Sequence, residues 1–183
     1  MISKEDLLRA TARGEQYELL FFWGHRAKPG TVTKSCLSQW YDAPFVADGV
    51  RYLTAEHYMM AHKAELFGDI AARDAILRAP DPGKAKALGR RVKGFDEALW
   101  AEHRFAMVVD ANRHKFSQAG RLKRFLLNTG TAVLVEASPS DAVWGIGLAA
   151  DDADAKDPSQ WPGLNLLGFA LMQVREALRA SAA

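Results

Sequence analysis

Phe45-Val46-Ala47-Asp48-Gly49-Val50-Arg51-Tyr52-Leu53, running straight into Thr54-Ala55-Glu56-His57-Tyr58-Met59-Met60-Ala61-His62-Lys63-Ala64-Glu65-Leu66-Phe67, decides how this chain is built. The first run is a hairpin signal, two short β-prone pieces joined by Asp-Gly. The second reads as a helix with a clear beginning. Thr54 can cap its first free N–H groups, and Glu56 falls in the first turn, where a carboxylate suits the positive end of the dipole. At 3.6 residues per turn, Glu56, Met59, Met60, Lys63 and Phe67 share one stripe. The stripe is mostly apolar and should face inward, yet it carries a carboxylate and an amine. Glu56 and Lys63 stand about 10 Å apart along the axis, beyond the reach of the usual i,i+4 ion pair. Either both charges reach into a pocket, or Glu56 only compensates the dipole while Lys63 snorkels to water.

Outward from this unit, Ser3 with Asp6 opens a short helix at the start of the chain. Tyr17 to Trp23 reads as a strand ending at Gly24, followed by a polar loop with Pro29 and Gly30. Beyond Phe67 the chain is mainly helical: Asp69 to Arg78; Asp81 and Pro82, as cap and first position, to about Arg91; Asp96 to about Phe116; and Arg121 to Leu127. Val133-Leu134-Val135 is a short strand. Residues 138–162 are rich in Asp, Gly and Pro, and a loop of that length without regular structure usually binds something. A last helix runs from about Leu164 to Arg179. The reading is one mainly α, α+β domain over residues 1–183, with its core at about 18–179.

Composition sets the outer limits. The 183 residues are 49% apolar and 25% charged, an ordinary soluble balance. The net charge of +2 argues against a nucleic-acid-binding helical protein, so any anion site must come from local clusters. The single cysteine, Cys36, rules out an intrachain disulfide. No signal-peptide core and no membrane-length run is present, and the cytoplasm is the expected compartment. His57 and His62 lack the i,i+4 spacing of a helical zinc pair, and His103 and His114 are unpaired, so no metal site is expected. P-loop, dinucleotide-binding and nucleophile-elbow motifs are absent.

Two further stretches can carry chemistry. Lys84, Lys86, Arg90, Arg91 and Lys93 are the densest basic run, fit either to hold phosphate or to form a solvated helix face. Asp141-Ala142-Val143-Trp144-Gly145-Ile146-Gly147 places a Trp between a carboxylate and glycines. Trp144 can stack on a flat ring while the backbone comes close, or it can plug the core with Asp141 as turn former. Trp100, on the longest helix, is by itself most simply a core aromatic.

Several motifs then run in order: Phe21-Phe22-Trp23-Gly24-His25, Leu37-Ser38-Gln39-Trp40, Asp48-Gly49, Thr54-Ala55-Glu56-His57-Tyr58-Met59, Lys63-Ala64, Leu88-Gly89-Arg90-Arg91-Val92-Lys93-Gly94-Phe95, Lys115-Phe116, Val135-Glu136-Ala137-Ser138-Pro139, Trp144-Gly145-Ile146-Gly147 and Gly163-Leu164-Asn165-Leu166-Leu167-Gly168. Together, from about Glu18 to Arg179, they resemble the NADAR, or YbiA-like, family. The resemblance implies a mainly helical fold with a few short strands and an N-glycosidase activity without cofactor. The implied substrate is a ribosyl or ADP-ribosyl small molecule. One group is ADP-ribose on guanine, which a nucleic acid can carry; the other is the phosphorylated ribosylamino-pyrimidines of the riboflavin pathway. Glu56, Trp100, Asp141 and Trp144 match positions the family uses at its site, and Lys63 matches a lysine placed for covalent work. Carried over onto the matching motifs, Glu56, Lys63 and Asp141 are the catalytic candidates. Phe22, Ser38, Trp100, Trp144, Gly145, Arg90, Arg91, Lys93 and Asn165 are the substrate-binding ones. Many members have Ser-Asn-Phe where this chain has Ser38-Gln39-Trp40, a departure that bears on substrate detail around Gln39.

Overall fold

Five of the seven α-helices among the described residues open on a side chain that accepts a free N–H of the first turn. In this computed structural model, which describes residues 3–181, Ser3 caps α1 (Lys4–Ala12), Thr54 caps α2 (Ala55–Leu66) and Asp69 caps α3 (Ile70–Leu77). Asp81, with Pro82 in the first turn, caps α4 (Pro82–Gly89), and Asp96 caps α5 (Glu97–Gln118), the longest. α6 (Gly120–Asn128) and α7 (Leu166–Ala180) start without a side-chain cap. Met1, Ile2, Ala182 and Ala183 lie outside the described residues.

The four strands among the described residues are short and form two separate pairs. β2 (Phe45–Ala47) and β3 (Val50–Tyr52) are antiparallel, and the turn between them has φ 48° at Asp48 and 76° at Gly49, the two positive values a tight hairpin needs. β1 (Leu19–Phe22) pairs in parallel with β4 (Val133–Glu136), Leu19 opposite Val133 and Phe22 opposite Glu136. Helices α2 to α6 form the crossover between them. The buried core runs from this parallel pair, through Val133, Leu134 and Val135, into Val108, Ala111 and Phe116 of α5 and Leu167, Phe169 and Leu171 of α7. The result is the expected mainly α, α+β architecture.

Asn165 closes the free edge of β4. Its side-chain Nδ2 donates to the Leu134 carbonyl at 2.9 Å, and its Oδ1 accepts from the Glu136 N–H at 3.0 Å. One amide thereby takes the place of a neighbouring strand, satisfying groups that burial would otherwise leave unpaired. The residue is fully buried and sits at φ 54° at the entry to α7, a conformation Asn tolerates better than most.

Asn165→Ala strands one buried donor and one buried acceptor and puts Ala at positive φ. Urea unfolding should show a loss on the order of 4 kcal/mol. A loss under about 1 kcal/mol would mean that the edge is satisfied without this side chain.

Candidate active site

The start of α2 is held by a strap, Ser38-Gln39-Trp40, of which Ser38 and Gln39 are buried and Trp40 half-buried. The Glu56 N–H donates to the Gln39 carbonyl at 3.1 Å. The strap is in turn fixed by two polar residues of α5 that are themselves out of water. Lys115 donates from Nζ to the Ser38 carbonyl at 2.8 Å, and Asn112 donates from Nδ2 to the Gln39 side-chain oxygen at 2.8 Å. Below the cap, the Thr54 hydroxyl and His57 Nδ1 are 2.8 Å apart, and His57 Nε2 is 3.1 Å from the Ala79 carbonyl. A carbonyl only accepts, so Nε2 carries the proton and Nδ1 accepts from Thr54. Burial lowers the His57 pKa, so the ring is a neutral positioning group.

This scaffold fronts a cavity of about 670 Å³, the size of a nucleotide-class ligand site. Glu56, Met59, Met60 and Lys63 from α2 line it, four of the five residues of the inward stripe read from the sequence, while Phe67, just past the helix, packs on Phe95 instead. Lys86 and Arg90 enter from α4 and the residue after it, Trp100 from α5, and Ser138, Asp141 and Trp144 from the loop after β4. Ser38, Gln39 and Trp40 of the strap complete the wall, and Trp23, 62% exposed, stands at its rim.

Electrostatics separate the ionisable groups. Glu56 is 2% exposed, and its Oε1 has no hydrogen-bond partner. Burial pushes its pKa up to about 7, against the opposing pull of Lys86, a hydrogen bond from the Trp40 side chain and Arg90. Lys63 Nζ lies 4.1 Å from the Phe95 ring centroid and 5.3 Å from that of Trp100. Partial burial lowers its pKa, so it reaches the neutral, nucleophilic form more easily than a surface lysine, with Glu97 opposing. Asp141 Oδ1 accepts the N–H groups of Val143, at 3.0 Å, and Trp144, at 2.8 Å. The turn so formed sets Trp144 against the cavity.

A model described as the NADAR domain matches residues 21–179. This chain belongs to the NADAR family. It is 43% identical to N-glycosidase R617 of Acanthamoeba polyphaga mimivirus over 167 residues, 88% of this chain and 97% of that one. It is 34% identical to N-glycosidase YbiA of Escherichia coli over 135 residues, covering 74% and 76%. The NMR structure of that Escherichia coli protein superposes with a TM-score of 0.69 at 29% identity, over 91% of this chain and 88% of the other. A third relative, the chloroplastic riboflavin biosynthesis protein PYRR of Zea mays, is 37% identical over 68% of this chain, which spans only 19% of it.

Within this NADAR domain, seven of the sequence candidates meet in the cavity: Glu56, Lys63, Asp141, Ser38, Trp100, Trp144 and Arg90. The other five lie elsewhere. Phe22 is buried in the core at the end of β1. Arg91 and Lys93 are exposed, and the Lys93 N–H donates to Asp69 at 2.9 Å. Asn165 is occupied by β4. Gly145 serves its neighbours' backbone, since a Cβ there would come within 2.8 Å of the Glu136 carbonyl and 2.9 Å of that of Asp141. The close approach anticipated for the Trp-Gly-Ile-Gly loop is therefore chain against chain, with the Asn165 N–H donating to the Gly145 carbonyl at 3.0 Å.

Sequence reasoning placed Lys86 only within the basic run, without singling it out, and gave no site role to Trp40 or Glu136. Lys86 stands four residues before Arg90, one turn apart on the same face, and that spacing could have picked the pair out of the basic run. Glu136 is a carboxylate ending an apolar strand, a weaker signal. Nothing local marks Trp40, whose place depends on the strap.

Glu56 gives a test of burial. Its folded-state pKa is raised, so as pH rises from about 4.5 to about 7 the unfolded chain gives up this proton first, and folding stability falls across that window. Glu56→Gln should remove that loss. The variant's extra stability in urea unfolding should be small below about pH 4.5, grow to about pH 7 and level off at on the order of 3 kcal/mol. A pH-independent difference would reject desolvation as the cause.

Proposed function

We propose that this protein is an N-glycosidase that breaks the bond between a ribose anomeric carbon and a base nitrogen. ADP-ribose on guanine is the first candidate substrate and a phosphorylated ribosylamino-pyrimidine the second. The observation that carries the reading is one cavity holding a buried carboxylate with an unpartnered oxygen, an amine of lowered pKa, and two tryptophan faces. It is supported by family membership and by the N-glycosidase names of R617 and YbiA.

The chemistry follows from the bond. Departure of the base leaves oxocarbenium-like charge on the anomeric carbon, which a nearby carboxylate stabilises. The neutral amine of Lys63 attacks that carbon as the base leaves with the C–N electron pair. Glu56, titrating near neutrality, takes the proton the new Lys63–sugar bond must lose. Ring opening gives an imine, water adds to it with its proton again passing to a carboxylate, and the sugar departs as Lys63 is restored. Trp100 and Trp144 wall the flat base, and Lys86 and Arg90 offer charge to phosphate.

The test incubates the protein with ADP-ribosylated guanosine and with the ribosylamino-pyrimidine phosphate, and follows free base and sugar by mass spectrometry. Turnover of one of them is expected, with borohydride trapping a protein–sugar adduct. Lys63→Ala should lose the adduct and at least about 100-fold in kcat. Lys63→Arg should not rescue it, because a guanidinium stays protonated. Turnover that survives in Lys63→Ala would replace the imine by direct water attack. Binding of ADP-ribose without turnover of either substrate would leave a non-catalytic binding module.

A further inference from the structure

Glu136 has no part in the chemistry so far, yet it stands in the same cavity. It is the last residue of β4, and its backbone is held on both sides. Its N–H donates to Asn165 Oδ1 at 3.0 Å, and its carbonyl accepts the Ile146 N–H at 2.9 Å. Its side-chain Oε2 is buried with no hydrogen-bond partner. A carboxylate oxygen stranded in that way is costly, whereas a carboxyl carrying a proton is a neutral donor awaiting an acceptor.

The surroundings decide which carboxyl keeps a proton. Burial raises the Glu136 pKa to about 8; the neighbouring Asp141 and Glu56 push the same way, and Lys86 alone opposes them. Glu56 has more support for its charged form, from Lys86, Arg90 and Trp40. The cations and the Trp40 hydrogen bond thus favour the charged form at Glu56, while the neighbouring carboxyls favour the protonated form at Glu136. One carboxylate and one carboxylic acid in a shared cavity are the pairing that base and acid steps require.

The geometry points to Glu136 as the general acid of the N-glycosidase reaction, a catalytic residue that protonates the departing base. This rests on the function proposed above. As the C–N bond breaks, its electron pair goes to the base nitrogen, which takes the Glu136 proton and leaves neutral. Glu136 is left as a carboxylate. The proton that Glu56 removes from the Lys63 nitrogen then passes across the cavity to Glu136, so the pair is reset and no outside acid is consumed.

The experiment compares the unsubstituted protein with Glu136→Gln and Glu136→Asp on whichever N-riboside it turns over, recording kcat and KM across pH. In parallel, infrared difference spectra of the free protein look for a protonated carboxyl near neutral pH. Glu136→Gln, an isostere that donates a hydrogen bond but no proton, should lose about 100-fold in kcat, within the range of general acid catalysis, with KM little changed. The alkaline limb of the pH profile should move or vanish, and the carboxyl band should shrink to the share that Glu56 contributes. Glu136→Asp should recover part of kcat. A urea midpoint in Glu136→Gln no lower than that of the unsubstituted protein separates these effects from misfolding, and a variant that does not fold hands the decision to the carboxyl band and the Asp variant. Retention of kcat and of the alkaline limb in Glu136→Gln, or a carboxyl band that the substitution leaves unchanged, overturns the assignment while leaving the glycosidase reading intact. No turnover by the unsubstituted protein overturns both.

Discussion

The site depends on holding a carboxylate out of water at the first turn of a helix. The helix dipole alone would favour the charged form of Glu56, but burial outweighs it and the pKa rises to about 7. Such a group stays in place only if its backbone is fixed by something stronger than its own preference. The Gln39 carbonyl does this by taking the Glu56 N–H, and the strap owes its own position to Asn112 and Lys115. Lys115 is 1% exposed, and desolvation drives its amine pKa down to about 7. A lysine there is a poor choice for stability, and a methionine of similar length would avoid the desolvation cost. What the amine contributes is a fixed Ser38 carbonyl, and through it the place of Trp40 beside Glu56. α5 thus governs the α2 carboxylate through three residues of irregular chain.

The parts of this structure that are written locally could be read from the sequence. Caps at Ser3, Thr54, Asp69, Asp81 and Asp96, the Asp48-Gly49 turn, and the 3.6-residue stripe of Glu56, Met59, Met60 and Lys63 each depend on neighbours within a turn or two. The pairing of β1 with β4 does not, because α2 to α6 intervene and a parallel pair carries no turn signal. What depends on that pairing was hidden with it. Asn165 closes the β4 edge, Gly145 makes room for the Glu136 and Asp141 carbonyls, and Glu136 becomes a cavity residue only once the end of β4 is placed. The basic run divides for a similar reason. Spacing shows that Lys86 and Arg90 share a face, but not that this face looks into a cavity while Arg91 and Lys93 meet solvent.

The arrangement of charge explains why the cavity can hold three carboxyls. Glu56, Glu136 and Asp141 would repel one another if all were ionised, and Lys63, Lys86 and Arg90 enter from α2, α4 and the residue that follows it. The cations come from the helical side, the Glu136 and Asp141 carboxyls from the end of β4 and its loop, and Glu56, on α2, feels Lys86 and Arg90 as well as Asp141. On the function proposed above, a phosphorylated riboside would set its phosphate toward Lys86 and Arg90.

Dryness then matters as much as charge. Met59, Met60, Trp100 and Trp144 give the cavity apolar walls, and in such surroundings each fixed charge acts more strongly than it would in water. The same walls raise the pKa of Glu56 and Glu136 and lower that of Lys63, so one physical cause tunes the groups in opposite directions. An acid that keeps its proton near neutrality and an amine that sheds its own more readily are what removal of an N-linked base requires. Neither exists on an exposed surface. Burial costs stability at each of these groups and, in return, moves the titration of the two glutamates up and that of Lys63 down, each toward the other.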